Sequence, residues 1–493
     1  MGEKQGSLER RKLIGLISGL TLFVLILFLP APENMPQKAW YTAAVAFLMA
    51  TFWITEAIPI PATALLPLVL FPLLGIGSME NAAKPYANPL IFLFMGGFMI
   101  ALAMQRWNLH RRLALNIIKR IGMHPKSIVA GFMIATAFLS MWVSNTATTM
   151  MMMPIGLSII ELAYSEDNKK HLHQFSLVLM LGIAYAANIG GIGTLIGTPP
   201  NALLAGFVKE SYDYQISFAR WLMIGGPMVL VGLPVGYLVL TRIAFPLELS
   251  SLDGGEQFID DDELETLGDM VYPEKVVGIV FIGVAILWIT RPLINSIIPE
   301  LSDANIAMLG AVVLFLIPVN LSQGKFVMNW ETAKKCPWGV LLLFGGGLSL
   351  ASAINNSGLA TWIGENLSIF QFFPLLLVIF IITLTVSLLT ELTSNTATAA
   401  TFLPIMASLA IGLGENPLLL IIPTALATSC AFMLPVGTPP NAIVYGSGHI
   451  EIPEMVKGGG LIKVVFVFLA TIVAYLLITK VFQVSFGVLP EWL

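Results

Sequence analysis

Charged side chains are scarce in this sequence. They make up only 11% of the 493 residues, whereas hydrophobic residues make up 57%. An ordinary soluble domain has about 25% charged residues. So few charges cannot cover the water-facing surface of so long a chain, which argues against a soluble enzyme and against intrinsic disorder. Because a membrane-spanning helix needs about 20 mostly apolar residues, the composition predicts one polytopic, all-α membrane protein.

Cysteine and histidine are also rare. Cys336 and Cys430 stand far apart in apolar surroundings, and the five histidines form no HExxH pattern, so neither a disulfide framework nor a zinc site is predicted. The formal net charge of −4 predicts no nucleic-acid partner. Ser144 has no histidine near it in sequence, and we expect neither enzymatic activity nor an organic cofactor. A membrane enzyme stays an alternative, which any product formed from a bound acid would support.

The N-terminus carries a basic cluster ahead of a long apolar run. Arg10, Arg11 and Lys12 precede the run 13–29, which is longer than the roughly 7–15 residues of a signal-peptide core. We therefore predict a retained first membrane helix rather than a signal peptide. Because basic residues mark the cytoplasmic side, the N-terminus is expected in the cytoplasm.

An acidic segment divides the chain. Residues 248–274 hold ten acidic residues and no basic one, which is typical of a solvated linker, with a binding role as the alternative. We predict a cytoplasmic N-terminus with the first helix over 1–38. A first repeat follows over 39–247, then this linker, then a second repeat over 275–493.

The two halves carry the same motifs. Residues 144–148 and 394–398 both read Ser-Asn-Thr-Ala-Thr, and residues 197–202 and 437–442 both read Gly-Thr-Pro-Pro-Asn-Ala. Several ordered matches, one of them six residues long, are poorly explained by chance. Paired, interrupted apolar segments in two halves are the best sequence indication of a transporter binding site.

Charge indicates that the repeats are inverted. The loop over 106–126 holds six Lys or Arg residues, and its counterpart over 356–376 holds none. Since positive loops face the cytoplasm, equivalent loops of the two halves are predicted to lie on opposite sides of the membrane.

The Ser-Asn-Thr motifs place polar residues between apolar runs. Serine and asparagine are common helix N-caps, so each motif can open a helix whose free N–H groups bind an anion. Packing of small residues between membrane helices is the alternative. Because there are two copies, each followed by a Gly-Thr-Pro-Pro-Asn motif, we favour binding.

The Gly-Thr-Pro-Pro-Asn motifs are predicted to break helices. Proline has no backbone N–H, so carbonyl groups before each break are expected to lose their partners. Such carbonyls, with nearby hydroxyl and amide oxygens, suit a hard cation such as Na⁺. A simple kink is the alternative, which the repetition makes less attractive.

Fixed positive charge is missing near these motifs. No Lys or Arg occurs over 127–168 or 376–456, so we expect helix N-termini, hydroxyls, amides and co-bound cations to balance an anionic substrate. Glu391 is either a proton or cation site or a structural hydrogen-bond partner. Glu56 is expected to anchor a helix end.

These motifs resemble those of the divalent anion/sodium symporter family, the Na⁺-coupled dicarboxylate and citrate transporters with some sulfate carriers and exchangers. The resemblance rests on both motif pairs and on the segment 53–59, Trp-Ile-Thr-Glu-Ala-Ile-Pro, and it extends over about 40–480. It implies about eleven transmembrane helices and two re-entrant hairpins. It also implies a homodimer, with a scaffold and a transport domain that moves as an elevator, and an interfacial connecting helix within 106–126.

The resemblance also implies binding residues. Substrate carboxylates are expected to contact Ser144, Asn145, Thr146, Thr198, Ser394, Asn395, Thr396 and Pro439. One Na⁺ is expected at Ser140, Ser144, Asn145 and the Gly193 backbone, and a second at Thr390, Asn395 and the backbone near Gly437.

We therefore predict a secondary transporter of the plasma membrane, the inner membrane of a bacterium. It would move C4 dicarboxylates such as succinate, malate and fumarate inward with Na⁺ as the coupling ion. Alternatives with the same fold are a dicarboxylate exchanger without cation coupling and a carrier of citrate or sulfate. A channel is an alternative of another class, which the inverted repeat fits poorly.

Overall fold

A computed structural model describes residues 2–121, 124–162, 169–247, 267–366 and 372–493. The predicted all-α fold is confirmed. The helices before the acidic segment are α1 (Gly2–Phe28), α2 (Gln37–Thr55), α3 (Ile60–Thr63), α4 (Leu66–Leu73), α5 (Met79–Ala83), α6 (Pro89–Arg106), α7 (Leu109–Ile121), α8 (Pro125–Ser140), α9 (Asn145–Leu162), α10 (Lys169–Ile192), α11 (Pro199–Tyr212) and α12 (Phe218–Leu238).

The second half is also helical. Its helices are α13 (Tyr272–Ile294), α14 (Asp303–Leu316), α15 (Trp330–Ala333), α16 (Trp338–Asn356), α17 (Leu359–Asn366), α18 (Leu375–Leu389), α19 (Asn395–Gly412), α20 (Leu418–Thr428), α21 (Pro439–Tyr445), α22 (Ile452–Val473) and α23 (Thr479–Val481). Short 3₁₀ turns lie at Lys84–Ala87 and Leu321–Gln323, and π-helical turns at Val239–Ala244 and Ala474–Ile478. The strands of the described residues are β1 (Pro318–Asn320) and β2 (Lys325–Phe326), an antiparallel pair that joins α14 to α15.

The helices have the length and composition of an integral membrane protein. Among the described residues, eight helical stretches are long and apolar enough to cross a bilayer, and five apolar helical stretches are shorter. Large apolar side chains such as Ile279 and Leu293 on α13 are exposed, as expected where lipid rather than water surrounds a helix. The number of crossing helices stays a prediction.

The linker predicted over the acidic segment ends before residue 274. Residues 248–266 lie outside the described residues, but α13 begins at Tyr272, inside the predicted linker. Glu274 is buried rather than solvated, because its carboxylate pairs with Arg112 of α7, with 2.6 Å between Oε1 and Nε. This pair ties the basic helix α7 to the start of the second half.

Two helix pairs have the form of re-entrant hairpins. Helix α8 has 16 residues and α18 has 15. At about 1.5 Å per residue neither spans the roughly 30 Å of a bilayer core. Each ends a few residues before a Ser-Asn-Thr motif, and the next helix begins at the asparagine of that motif, at Asn145 or Asn395. The sequence prediction that these motifs open helices is therefore confirmed.

Both Gly-Thr-Pro-Pro-Asn motifs interrupt a helical path, as predicted. Helix α10 ends at Ile192 and α11 begins at Pro199, whereas α20 ends at Thr428 and α21 begins at Pro439. The two prolines occupy the first two positions of α11 and of α21, where a missing N–H costs no helical hydrogen bond. Residues 175–192 of α10 are buried, and α10 packs against α8, α9, α12 and α21, so the first break lies inside protein.

Close backbone contact between α8 and α10 depends on Gly190. A Cβ atom at this position would lie 2.2 Å from the carbonyl oxygen of Ala137. We expect Gly190→Ala to lower the free energy of unfolding by about 1–3 kcal/mol, because neither backbone can yield without moving a helix. The measurement is the melting temperature in detergent.

The matched control is Gly283→Ala in α13, where a Cβ atom would meet nothing within 4 Å. This variant should keep or raise the melting temperature, since alanine favours a helix over glycine by about 1 kcal/mol. Equal melting temperatures for both variants would contradict the close packing of α8 on α10.

Candidate functional site

The two motif pairs of both halves meet around one cavity of about 910 Å³. All eight residues predicted to contact substrate line it: Ser144, Asn145, Thr146, Thr198, Ser394, Asn395, Thr396 and Pro439. Gly437 of the predicted cation residues lines it as well. Ser140, Gly193 and Thr390 do not line it, and Ser140 and Thr390 lie fully buried behind Asn145 and Asn395.

The helix starts at the two hairpin tips present weakly capped N–H groups to this cavity. The side chain of Ser394, the N-cap of α19, makes no capping hydrogen bond. Ser144 accepts only a long bond of 3.4 Å at its Oγ, from the N–H of Ala147. A helix N-terminus carries partial positive charge and unpaired donors, so both tips can receive an anion.

The helix starts at the double prolines differ from those at the hairpin tips. Prolines at the first two positions of α11 and α21 remove the N–H groups that would otherwise point to a ligand. Thr198 and Thr438 precede them, and neither side chain makes a capping bond. These two starts therefore offer a threonine hydroxyl and a helix dipole rather than backbone donors.

Three oxygen atoms meet behind the first hairpin tip. The Oγ of Ser140 lies 2.6 Å from Oδ1 of Asn145 and 2.8 Å from the carbonyl oxygen of Ala187 in α10. A serine hydroxyl has one hydrogen and can donate to only one of these acceptors at a time. The cluster thus holds more lone pairs than donors, which suits a hard cation.

The second half repeats this cluster with a threonine. The Oγ1 of Thr390 lies 2.7 Å from Oδ1 of Asn395 and 2.9 Å from the carbonyl oxygen of Thr428 in α20. The hydroxyl, amide and carbonyl groups take the same roles in both halves. Two equivalent oxygen clusters therefore flank the cavity, one behind each tip.

The two glycines of the predicted cation sets do not occupy equivalent places. Gly437 lines the cavity, as does its counterpart Gly197. The carbonyl oxygen of Gly193 instead packs on Gly225 of α12, where it would lie 2.8 Å from an added Cβ atom.

The motif asparagines have a structural role beside the site that the sequence reasoning missed. The side-chain amide of Asn201 donates to the carbonyl of Thr194 in the first break, at 2.8 Å, and to that of Gly191 in the last turn of α10, at 3.2 Å. Asn441 does the same in the second break, at 3.0 Å for Leu434. The expectation that carbonyls at the breaks stay without partners is therefore wrong for these groups, because an asparagine after each proline pair satisfies them. The repeated Pro-Pro-Asn is the sequence signal that could have revealed this role.

Glu391 has the contacts of a structural hydrogen-bond partner. Its carboxylate accepts backbone N–H groups of the second break, among them those of Phe432 and Leu434, and lies 2.7 Å from Nζ of Lys463. Both charged residues are buried. Four donors thus saturate the carboxylate, which favours the structural alternative over a proton or cation site.

In the first half the hairpin is also bonded to its broken helix. Here the polar side chain belongs to the broken helix, and the backbone group belongs to the hairpin. Thr194 in the first break donates from Oγ1 to the carbonyl oxygen of Met141, which stands at the hairpin position equivalent to Glu391. Leu434 stands where Thr194 does, and it donates its backbone N–H to Glu391. Each hairpin tip is therefore fastened to its own broken helix, by a neutral hydroxyl in one half and a carboxylate in the other.

Among the described residues, two charged ones line the cavity, and both come from the first 56 residues of the chain. Glu56 is the left-handed C-cap of α2, with φ of 51°, and its N–H bonds the carbonyl of Phe52, so it closes the helix end as predicted. Arg11 of α1 lines the cavity as well. The expectation of no fixed cation is therefore wrong, because tertiary packing brings in an arginine that is distant in sequence.

Lys463 provides a test of the structural role of Glu391. We expect Lys463→Met to lower the free energy of unfolding by about 3–5 kcal/mol, because it leaves a buried carboxylate without its cation. The measurement is the melting temperature in detergent. Lys457→Met is the control from the same helix, since Lys457 is exposed and its Nζ lies over the ring of Phe245. Equal melting temperatures for the two variants would argue against a structural ion pair.

Known proteins resemble this chain over nearly its whole length. The family model described as the sodium:sulfate symporter transmembrane region matches residues 10–482. The sodium-dependent dicarboxylate transporter SdcS of Staphylococcus saprophyticus is 47% identical over 482 residues, which are 96% of this chain and 93% of that protein. The SdcS protein of Staphylococcus aureus strain USA300 is 46% identical over 481 residues, 96% of this chain and 92% of that protein.

A solved structure shares the fold. The crystal structure of the Alcanivorax borkumensis YdaH transporter matches with a TM-score of 0.55 and 13% sequence identity, covering 90% of this chain and 99% of that one. At this identity the likeness concerns the fold alone. The family match and the SdcS relatives, which cover almost the entire chain, show that this protein belongs to the divalent anion/sodium symporter family, a family of transporters and not of enzymes.

Proposed function

We propose that this protein is a secondary active transporter that carries C4 dicarboxylates, such as succinate, malate and fumarate, into the cell together with Na⁺. The SdcS relatives are named for sodium-dependent dicarboxylate transport and are nearly half identical to this chain. Their similarity extends across both motif pairs, so the same chemistry is expected here.

Asn145 and Asn395 carry the proposal. Each lines the cavity, and each also contributes Oδ1 to the oxygen cluster behind its hairpin tip. A Na⁺ ion in either cluster would therefore stand next to an anion in the cavity. Because opposite charges this close attract strongly away from bulk water, binding of one would favour binding of the other. In each half, an asparagine that contacts both ions therefore couples the binding of Na⁺ to the binding of the dicarboxylate.

The proposal assigns the predicted residues as follows. The substrate carboxylates contact Ser144, Asn145, Thr146, Thr198, Ser394, Asn395, Thr396 and Pro439. Na⁺ binds Ser140, Ser144, Asn145 and the Gly193 backbone at one site, and Thr390, Asn395 and the Gly437 backbone at the other. The packing of the Gly193 carbonyl on Gly225 makes Ala187 a further candidate ligand, because its carbonyl already belongs to the cluster.

The wider architecture is proposed by the same reasoning. The protein works as a homodimer in the bacterial inner membrane, surrounded by lipid, with a cytoplasmic N-terminus. Residues 39–247 and 275–493 form the inverted repeats. The hairpins and broken helices move together as an elevator against a scaffold, and the direct fastening of each tip to its broken helix supports their motion as one unit.

Labelled succinate uptake into proteoliposomes tests the function. We expect uptake with an inward Na⁺ gradient and none when K⁺ replaces Na⁺. Rapid uptake only after preloading with dicarboxylate would identify an exchanger and contradict cation coupling. Inhibition by excess sulfate or citrate, with their own uptake measured, separates the dicarboxylate assignment from the other anions that such a fold can carry.

Asn145→Ala and Asn395→Ala test the shared asparagines. Either change removes an oxygen ligand from a cation cluster and an amide from the cavity, so we expect uptake to fall to background while the protein remains folded. Ser158→Ala in α9 is the control, because its hydroxyl bonds only to the Pro154 carbonyl in the same helix. Normal uptake by either asparagine variant would overturn the site assignment.

A further inference from the structure

Helix α1 is held in close contact with the end of α2. Gly15 and Gly19, one turn apart, face Thr55 and Phe52, and a Cβ atom at Gly15 would lie 2.0 Å from Oγ1 of Thr55. Small residues spaced four apart let membrane helices approach closely. This contact fixes α1 along α2 and brings Arg11, one turn before Gly15, to the last residues of α2.

The guanidinium of Arg11 bridges two parts of the molecule. It donates to the carbonyl oxygens of Ile54 and Thr55 at the end of α2, at 3.0 and 3.4 Å. It also donates to the carbonyl oxygen of Leu392, at 3.4 Å, two residues before Ser394 in the second hairpin tip. Carbonyls at a helix C-terminus lack helical partners and attract cations.

These three acceptors hold the side chain without neutralising it. A carbonyl oxygen carries no formal charge, and arginine has more N–H groups than these bonds use. Arginine is also charged at any accessible pH. A full positive charge with free donors therefore stands beside the helix start at Ser394.

Arg11 also determines the balance of charge in the cavity. Of the described residues that line the cavity, Arg11 and Glu56 are the charged ones, and their signs are opposite. Without Arg11, no fixed positive charge among the described lining residues would offset Glu56 for an entering dianion, and only the coupling Na⁺ ions and neutral dipoles would remain. Glu56 is half-buried, so an unbalanced carboxylate there repels an anion more strongly than it would in bulk water.

We propose that Arg11 is a specificity-determining residue of the substrate site, which offsets Glu56 and favours a dianion over a monoanion. This inference rests on the proposed transport of dicarboxylates. The bland alternative is that Arg11 belongs only to a basic cluster at the membrane surface. Arg10 provides the contrast, because it is exposed, adjacent in sequence, and absent from the cavity lining.

The experiment compares Arg11→Gln, Arg11→Lys and Arg10→Gln in proteoliposomes with an inward Na⁺ gradient. We expect Arg11→Gln to raise the KM for succinate roughly tenfold, because the positive charge that offsets Glu56 is lost. Arg11→Lys keeps the charge and should restore most of the affinity, while Arg10→Gln should match the wild type. Inhibition by the monoanion monomethyl succinate should change much less than the KM for succinate, which a general structural defect would not produce.

Equal KM values for Arg11→Gln and Arg10→Gln would overturn the inference, and so would an equal loss for the dianion and the monoanion. If Arg11→Gln does not fold, Glu56→Gln with Arg11 intact decides, since removing the carboxylate that Arg11 offsets should lower the KM for succinate, and an unchanged KM would overturn the inference. A wild type without Na⁺-driven uptake would refute the proposed function alone. The role of Arg11 is then decided by the rise in melting temperature with added succinate or sulfate, which Arg11→Gln should reduce and Arg10→Gln should not.

Discussion

Every backbone polar group at membrane depth must find a hydrogen-bond partner inside the protein. The rest of this structure depends on how the two broken helices satisfy that constraint. Lipid offers no hydrogen bonds, so irregular backbone survives only where protein surrounds it. Asn201 and Asn441 bind carbonyls within the breaks, and Glu391 binds N–H groups in the second. With those groups satisfied, the chain can place threonine hydroxyls and helix starts around the cavity.

The two halves solve the same problem with different chemistry. Thr194 fastens the first hairpin tip to its broken helix with a neutral hydroxyl, whereas Glu391 does so in the second half with a carboxylate that Lys463 balances. A buried ion pair contributes little stability over apolar packing but is costly to break. Breaking the connection of the second tip is therefore expected to cost more than breaking that of the first, although both tips carry the same motif.

The charged residues at the cavity are brought there by helix packing and do not belong to the repeated motifs. The motif residues supply hydroxyls, amides and helix dipoles, all of them neutral. Among the described lining residues, the formal charges are those of Glu56 at the end of α2 and Arg11 on α1. A pair of glycines lets α1 pack closely against the end of α2. In the function proposed above, the charge that offsets Glu56 therefore comes from α1, outside the repeated motifs.

The sequence by itself determined the membrane class, the doubled motifs, the helix starts at Asn145 and Asn395, and the breaks at both proline pairs. These follow from composition, capping and the missing proline N–H, which act within a few residues. Only the tertiary structure decided which groups meet: the carbonyls of Ala187 and Thr428 behind the tips, the amides of Asn201 and Asn441, the burial of Glu274, and Arg11 beside the second tip. Hydrogen bonds and ion pairs between distant segments depend on helix packing, which no local pattern specifies.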